Sequence, residues 1–94
     1  MNHYGEELTL QFCKYSNGNN AITLADMQGE MYATASANVP GVELEPNEVL
    51  IKNYSENEGI LEMLEDAGYV ERTGRYAQSG FVNIPICKII KHEV

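Results

Sequence analysis

The sequence holds no tryptophan, two cysteines, two histidines, three prolines and six basic side chains. Each scarcity removes a class of function. Cys13 and Cys87 allow one bridge at most, which is no disulfide scaffold. Flanked by apolar or strand-like residues, they read as two buried thiols in a reducing compartment. His3 and His92 lie within three residues of the ends of the sequence, where chains fray. No CxxC, HxxxH or HExxH spacing occurs, so no metal is expected. The shortage of bases leaves Ser79 and Cys13 without an activating partner, and neither a GxSxG elbow nor a phosphate-cradling glycine loop is present. Catalysis and cofactors are therefore not expected. No apolar stretch approaches a membrane span, and no basic segment followed by an apolar run opens the chain. A cytoplasmic protein is expected.

What is present is acid. Net charge is −8, and residues 43–71 set it, with nine acidic side chains against Lys52. Such a field opposes direct nucleic-acid binding, which needs Lys and Arg to neutralise phosphates. It suits a basic protein partner and speeds association with one. The plainer reading of the same stretch is a solvated, solubilising face.

Ninety-four residues make a single domain, 1–94. A chain of this size buries only about 60–65% of its unfolded surface, enough for a sheet with a helix across it. Leu8, Leu10 and Phe12 alternate with polar neighbours, as a half-buried strand does. Asn17-Gly18 and Gln28-Gly29 mark turns, so strands near 8–13, 21–27 and 31–39 form an antiparallel meander. The alanine row at 33, 35, 37 leaves room for a close neighbour, expected to be the helix. Residues 40–47 read as a loop and 49–51 as a brief strand. Ser55 and Glu58 make a capping box, Ile60, Leu61, Leu64 and Ala67 line one helical face, and Gly68 ends it. The helix is placed at about 56–67. Residues 73–81 read as a glycine-rich loop and 81–91 as a last strand, edge or bulged at Pro85. The expected fold is α+β, an antiparallel sheet of four to five strands with one main helix on one face.

Two surfaces are candidates for binding. Carboxylates of the loop (Glu43, Glu45, Glu48) and of the helix (Glu56, Glu62, Glu65, Asp66) can form one negative surface that imitates nucleic-acid phosphates. Alternatively, Arg75, Tyr76, Ser79 and Phe81 of the glycine-rich loop can hold an anionic small molecule or nucleotide, since Arg and Tyr are enriched at binding sites. Against this stands a loop whose Arg pairs with a nearby Glu. Six tyrosines add interface-suited rings.

From Met31 onward the chain resembles a family of short uncharacterised proteins, a domain of unknown function, of bacteriophages and bacterial mobile elements. The resemblance is carried by Ala33-Thr34, Asn38-Val39-Pro40-Gly41-Val42, Leu44, Pro46-Asn47, Asn53, Gly68, Thr73-Gly74-Arg75, Ser79-Gly80-Phe81 and Pro85. It implies provenance in genomes that must survive host nucleases, where small acidic proteins often inhibit defence. The leading expectation is thus a non-enzymatic acidic protein that inhibits a host nucleic-acid-handling protein, anti-CRISPR or DNA-mimic-like. A small-molecule or nucleotide-binding module and a structural or self-associating protein stand as alternatives. The oligomeric state is left open.

Overall fold

A computed structural model describes residues 2–3 and 5–91, Asn2 and Glu56 through their backbone only. Strands β1 (Asn2–His3) and β2 (Glu6–Glu7) pair across a turn at Gly5. The expected meander follows as β3 (Thr9–Lys14), β4 (Asn20–Ala25) and β5 (Met31–Thr34). Leu10 faces Leu24 and Phe12 faces Ile22 across the first pair, so the alternating apolar residues meet in register. The Asp26 carboxylate accepts the N–H groups of Gln28 and Glu30 at 2.9 and 3.0 Å, which closes the second turn.

At Ala35 the chain changes sheets. Its N–H donates to Ile22 O at 2.9 Å, while its own carbonyl accepts from Lys52 N–H at 2.8 Å. Ser36 replaces the missing backbone rung, its Oγ taking the Ile22 N–H at 2.9 Å. Strand β6 (Ser36–Ala37) then opens a second sheet with β7 (Glu48–Ile51), β8 (Val70–Ser79) and β9 (Val82–Ile89), ordered β6-β7-β9-β8. The fold is mixed and antiparallel with one short helix. Its strands divide into two-, three- and four-stranded sheets, where one sheet of four to five was expected.

Alternation along β7 and β9 gives the four-stranded sheet two buried faces. Val49, Ile51, Cys87 and Ile89 join Leu10, Leu24 and the helix in the larger core. Leu50, Ala77, Ile84 and Ile86 form the smaller core, roofed by Val39, Val42 and Leu44 of loop 38–47. Each fully buried aliphatic side chain contributes about 1.5–3 kcal/mol. Asn20 Nδ2 pins the loop by donating to Pro46 O and Glu48 O, both at 2.9 Å.

The helix is shorter than expected. A 3₁₀ turn (Ser55–Asn57) precedes α1 (Ile60–Asp66), and Gly59 between them has φ +92°. That left-handed residue separates the start marked by Ser55 and Glu58 from the apolar helix that follows. No Ser55–Glu58 capping box forms on α1, whose N-cap Gly59 has no side chain to offer. Asn53 Oδ1 takes the Leu61 N–H instead, at 2.9 Å. The C-terminal end is as expected. Gly68 N–H donates to Glu65 O and Tyr69 N–H to Leu64 O, both at 3.0 Å, the two bonds of a Schellman motif.

Residues 70–79 form a strand where a loop was expected for 73–81. Arg72 lies opposite Cys87 and Tyr76 opposite Pro85, so Thr73-Gly74-Arg75 bulge out across Ile86. Gly74 takes φ +86° there. Thr73 Oγ1 donates to Ile86 O at 2.7 Å, occupying a carbonyl the bulge would leave unpaired. Pro85 is in an interior strand, beside this bulge and beyond the last β7 pair, Leu50 with Ile86, so no ladder needs its N–H.

Candidate functional site

Strand alternation sends the two arginines, three positions apart, to opposite faces. Arg75 turns to the loop-covered face, where its Nη2 pairs with Glu48 Oε2. Arg72 turns to the helix side. Its Nε lies 3.0 Å from both Glu65 oxygens, and its Nη2 lies 2.7 Å from Glu62 Oε2. Hydrogen bonding to Glu65 leads the effects that raise the Arg72 pKa above its ordinary value, burial opposing and Glu62 assisting.

The expected acidic residues therefore differ in what they offer. Glu43, Glu45, Glu62 and Asp66 are exposed and Glu65 is half-buried. Glu48 is a correction: only 6% exposed, it belongs to the interior and not to a surface array. Its Oε1 accepts the Glu45 N–H at 2.9 Å. That bond holds the carboxyl below its ordinary value, with burial opposing and Arg75 assisting. The Glu56 side chain lies outside the described residues, as do His92 and Tyr4. Glu62 and Glu65 come together on Arg72. The loop carboxylates belong to the segment roofing one face of the four-stranded sheet, and the helix packs in the core of the other.

The glycine-rich candidates do not converge either. Arg75 is committed to Glu48, Tyr76 points to the helix side, and Ser79 and Phe81 stand at the end of the β8–β9 hairpin. What two of them do share is a groove. Because α1 has seven residues and β8 ten, the helix leaves the far part of the hairpin uncovered. The resulting groove of about 340 Å³ has Leu61, Tyr76, Phe81 and Pro85 as apolar lining. Asn53, Asn83 and Arg72 supply its polar groups. Phe81 is fully exposed and Tyr76 is 57% exposed. Sequence reading assigned Asn53, Leu61 and Pro85 to no site: Asn53 shows no local signal, Leu61 reads as a core face and Pro85 as a strand irregularity.

The groups able to do chemistry are apart. Cys13 is exposed, contrary to the expectation of two buried thiols. Cys87 is buried, and burial pushes its thiol up to about 12. His3 is buried and held, where fraying was expected. Its Nε2 lies 2.9 Å from Glu58 O and its Nδ1 3.0 Å from the Tyr32 hydroxyl. Among the described residues, no group of three or more His, Cys, Asp or Glu side chains is placed to hold a metal. No helix among them is long and apolar enough to cross a membrane.

Comparison with family models, with curated proteins and with solved structures finds no match for the chain.

Proposed function

We propose that the chain is a non-enzymatic binding protein that engages a basic protein partner through the groove between α1 and the β8–β9 hairpin. The observation that carries this reading is Phe81, fully exposed at the hairpin tip beside the half-exposed Tyr76. A large apolar ring held out on a short turn gains only when a partner covers it. Tyr, Phe and Arg are the residue types enriched where binding energy concentrates. Arg72 is fixed by two carboxylates, so it would present remaining donors at little ordering cost. The molecule's net charge of −8 favours a positively charged partner and raises the rate of encounter. A host nucleic-acid-handling protein, the class implied by the resemblance to phage and mobile-element proteins, has that charge.

Affinity capture from lysate, with wild type, Phe81→Ala and Glu43→Gln/Glu45→Gln run in parallel, tests the reading. The expected result is a basic protein retained by wild type, released by salt, and weakened at least tenfold by Phe81→Ala. The loop variant should slow association while leaving dissociation unchanged. Equal retention by wild type and Phe81→Ala would remove the groove from the account. A stable dimer with no other protein retained would favour self-association through an exposed strand edge.

A further inference from the structure

A second groove, of about 480 Å³, lies where β5 hands over to β6. Its size is that of small-molecule sites, which span roughly 300–1,000 Å³. The small side chains of Ala33, Thr34, Ser36 and Ala37 leave the space, and Tyr15, Tyr32 and Tyr54 put rings along it. The alanine row thus opens a depression, where the sequence suggests only a close-packed helix.

Each ring is held in place by a contact of its own. Ser36 Oγ lies 3.4 Å from Ile22 O and gives it the hydroxyl proton. The Tyr15 hydroxyl and Ser36 Oγ share a hydrogen bond of 2.9 Å. His3 Nε2 must donate to the Glu58 carbonyl, so in the neutral ring Nδ1 accepts from the Tyr32 hydroxyl. The Tyr54 ring centroid lies 5.5 Å from Lys52 Nζ. Walls ordered in advance lose little freedom when a ligand arrives.

The charge of the lining differs from that of the molecule. Among the described side chains the one charged group lining this groove is Lys52, in a chain of net charge −8. An ammonium has three donors, so Lys52 can serve a ligand beyond its contacts within the protein. Asn38 spends its carbonyl oxygen on the amides of Asn17 and Asn19, at 3.2 and 3.1 Å, and keeps its own amide N–H groups to offer.

We propose that this groove is a site for a planar heteroaromatic ligand with one anionic arm, the chemistry of a nucleoside monophosphate. The base stacks on the tyrosine rings, and the phosphate meets Lys52 and the Asn38 amide. Lys52 offers one cationic donor to a single phosphate alongside its contacts within the protein. A polymer would bring many phosphates into an acidic field that repels them.

The test is a titration of the isotope-labelled chain followed by amide chemical shifts, with 5′-AMP, adenosine and inorganic phosphate as probes. AMP should give saturable shifts confined to the lining segments, residues 15–19, 32–38 and 52–57. Adenosine should bind about tenfold more weakly, and phosphate alone should not compete at equal concentration. Tyr54→Ala should weaken AMP at least tenfold. Because Tyr54 also packs on the smaller core, Lys52→Gln is the second variant, and it should bring AMP down to the affinity of adenosine. Phe81→Ala, outside this groove, should leave the titration unchanged. No saturable shift at millimolar AMP, shifts mapping elsewhere, phosphate as effective as AMP, or AMP binding untouched by Lys52→Gln would each overturn the proposal.

Discussion

Arg72 and Arg75 are three positions apart, an odd spacing that in a strand sends one to each side of the sheet. Their partners differ in consequence. Arg75 is 55% exposed and its loss should cost little, about 0–1 kcal/mol. Glu48 is buried, and Glu48→Gln should cost about 1 kcal/mol, since the amide still accepts the Glu45 N–H but no longer pairs as an anion. The pH dependence follows from the direction of its shift. A carboxyl lowered in the folded state contributes fully above its ordinary value of 4.5 and loses that contribution as pH falls through the lower folded value. Thermal melts between pH 6 and 3 should show wild type losing more stability than Glu48→Gln below 4.5. Parallel curves would contradict this. The thiols provide another check at this scale. Cys13 is exposed, while Cys87 is buried with its thiol pushed up to about 12. A chromogenic disulfide reagent at pH 8 should react with one thiol in the folded protein and with the second only after unfolding. Two fast thiols would mean that Cys87 is accessible.

The elements show how far local patterns reach. Phe12 and Ile22 end in register because the Asn17-Gly18 turn between them is a local signal. Gly68 was legible for the same reason, its left-handed conformation needing only the residues beside it. Asn53 was not legible as a cap, because it acts from seven positions before α1 in place of the adjacent residue. Asn53→Ala should therefore destabilise by about 1 kcal/mol in chemical denaturation. Ser55→Ala should do less, since Ser55 is the N-cap of neither the 3₁₀ turn nor α1. The reverse order would restore the capping box that the sequence suggests. The helix was overread because Ser55 and Glu58 have the spacing of a capping box, while the left-handed φ of Gly59 starts the helix only at Ile60. Thr73-Gly74-Arg75 looked like a loop for the opposite reason. Its polar, glycine-bearing composition hides a strand interrupted by a bulge, whose partner Ile86 lies across the sheet. The change of sheet at Ala35 depends on Ser36 meeting Ile22, a contact that no local window contains.

At the scale of the whole molecule, a net charge of −8 coexists with carboxylates that are unevenly available. Glu48, Glu62 and Glu65 are engaged by arginines, and Glu43, Glu45 and Asp66 are exposed. The acid stretch was legible in the sequence, but its division by the four-stranded sheet was not, since that follows from the loop roofing one face while the helix packs on the other. In the proposed function, binding energy lies in the hairpin groove and the acid serves steering. Because Phe81 has no burial to lose, Phe81→Ala should leave the unfolding free energy within about 0.5 kcal/mol of wild type while weakening the partner complex. The most direct measurement is site-specific photocrosslinking in cells from position 81, with exposed Gln11 on β3 as the control. A discrete protein captured from position 81, absent from position 11 and lost when Tyr76→Ala is added, is the predicted result. The same products from both positions, or a self-crosslinked chain alone, would contradict the account.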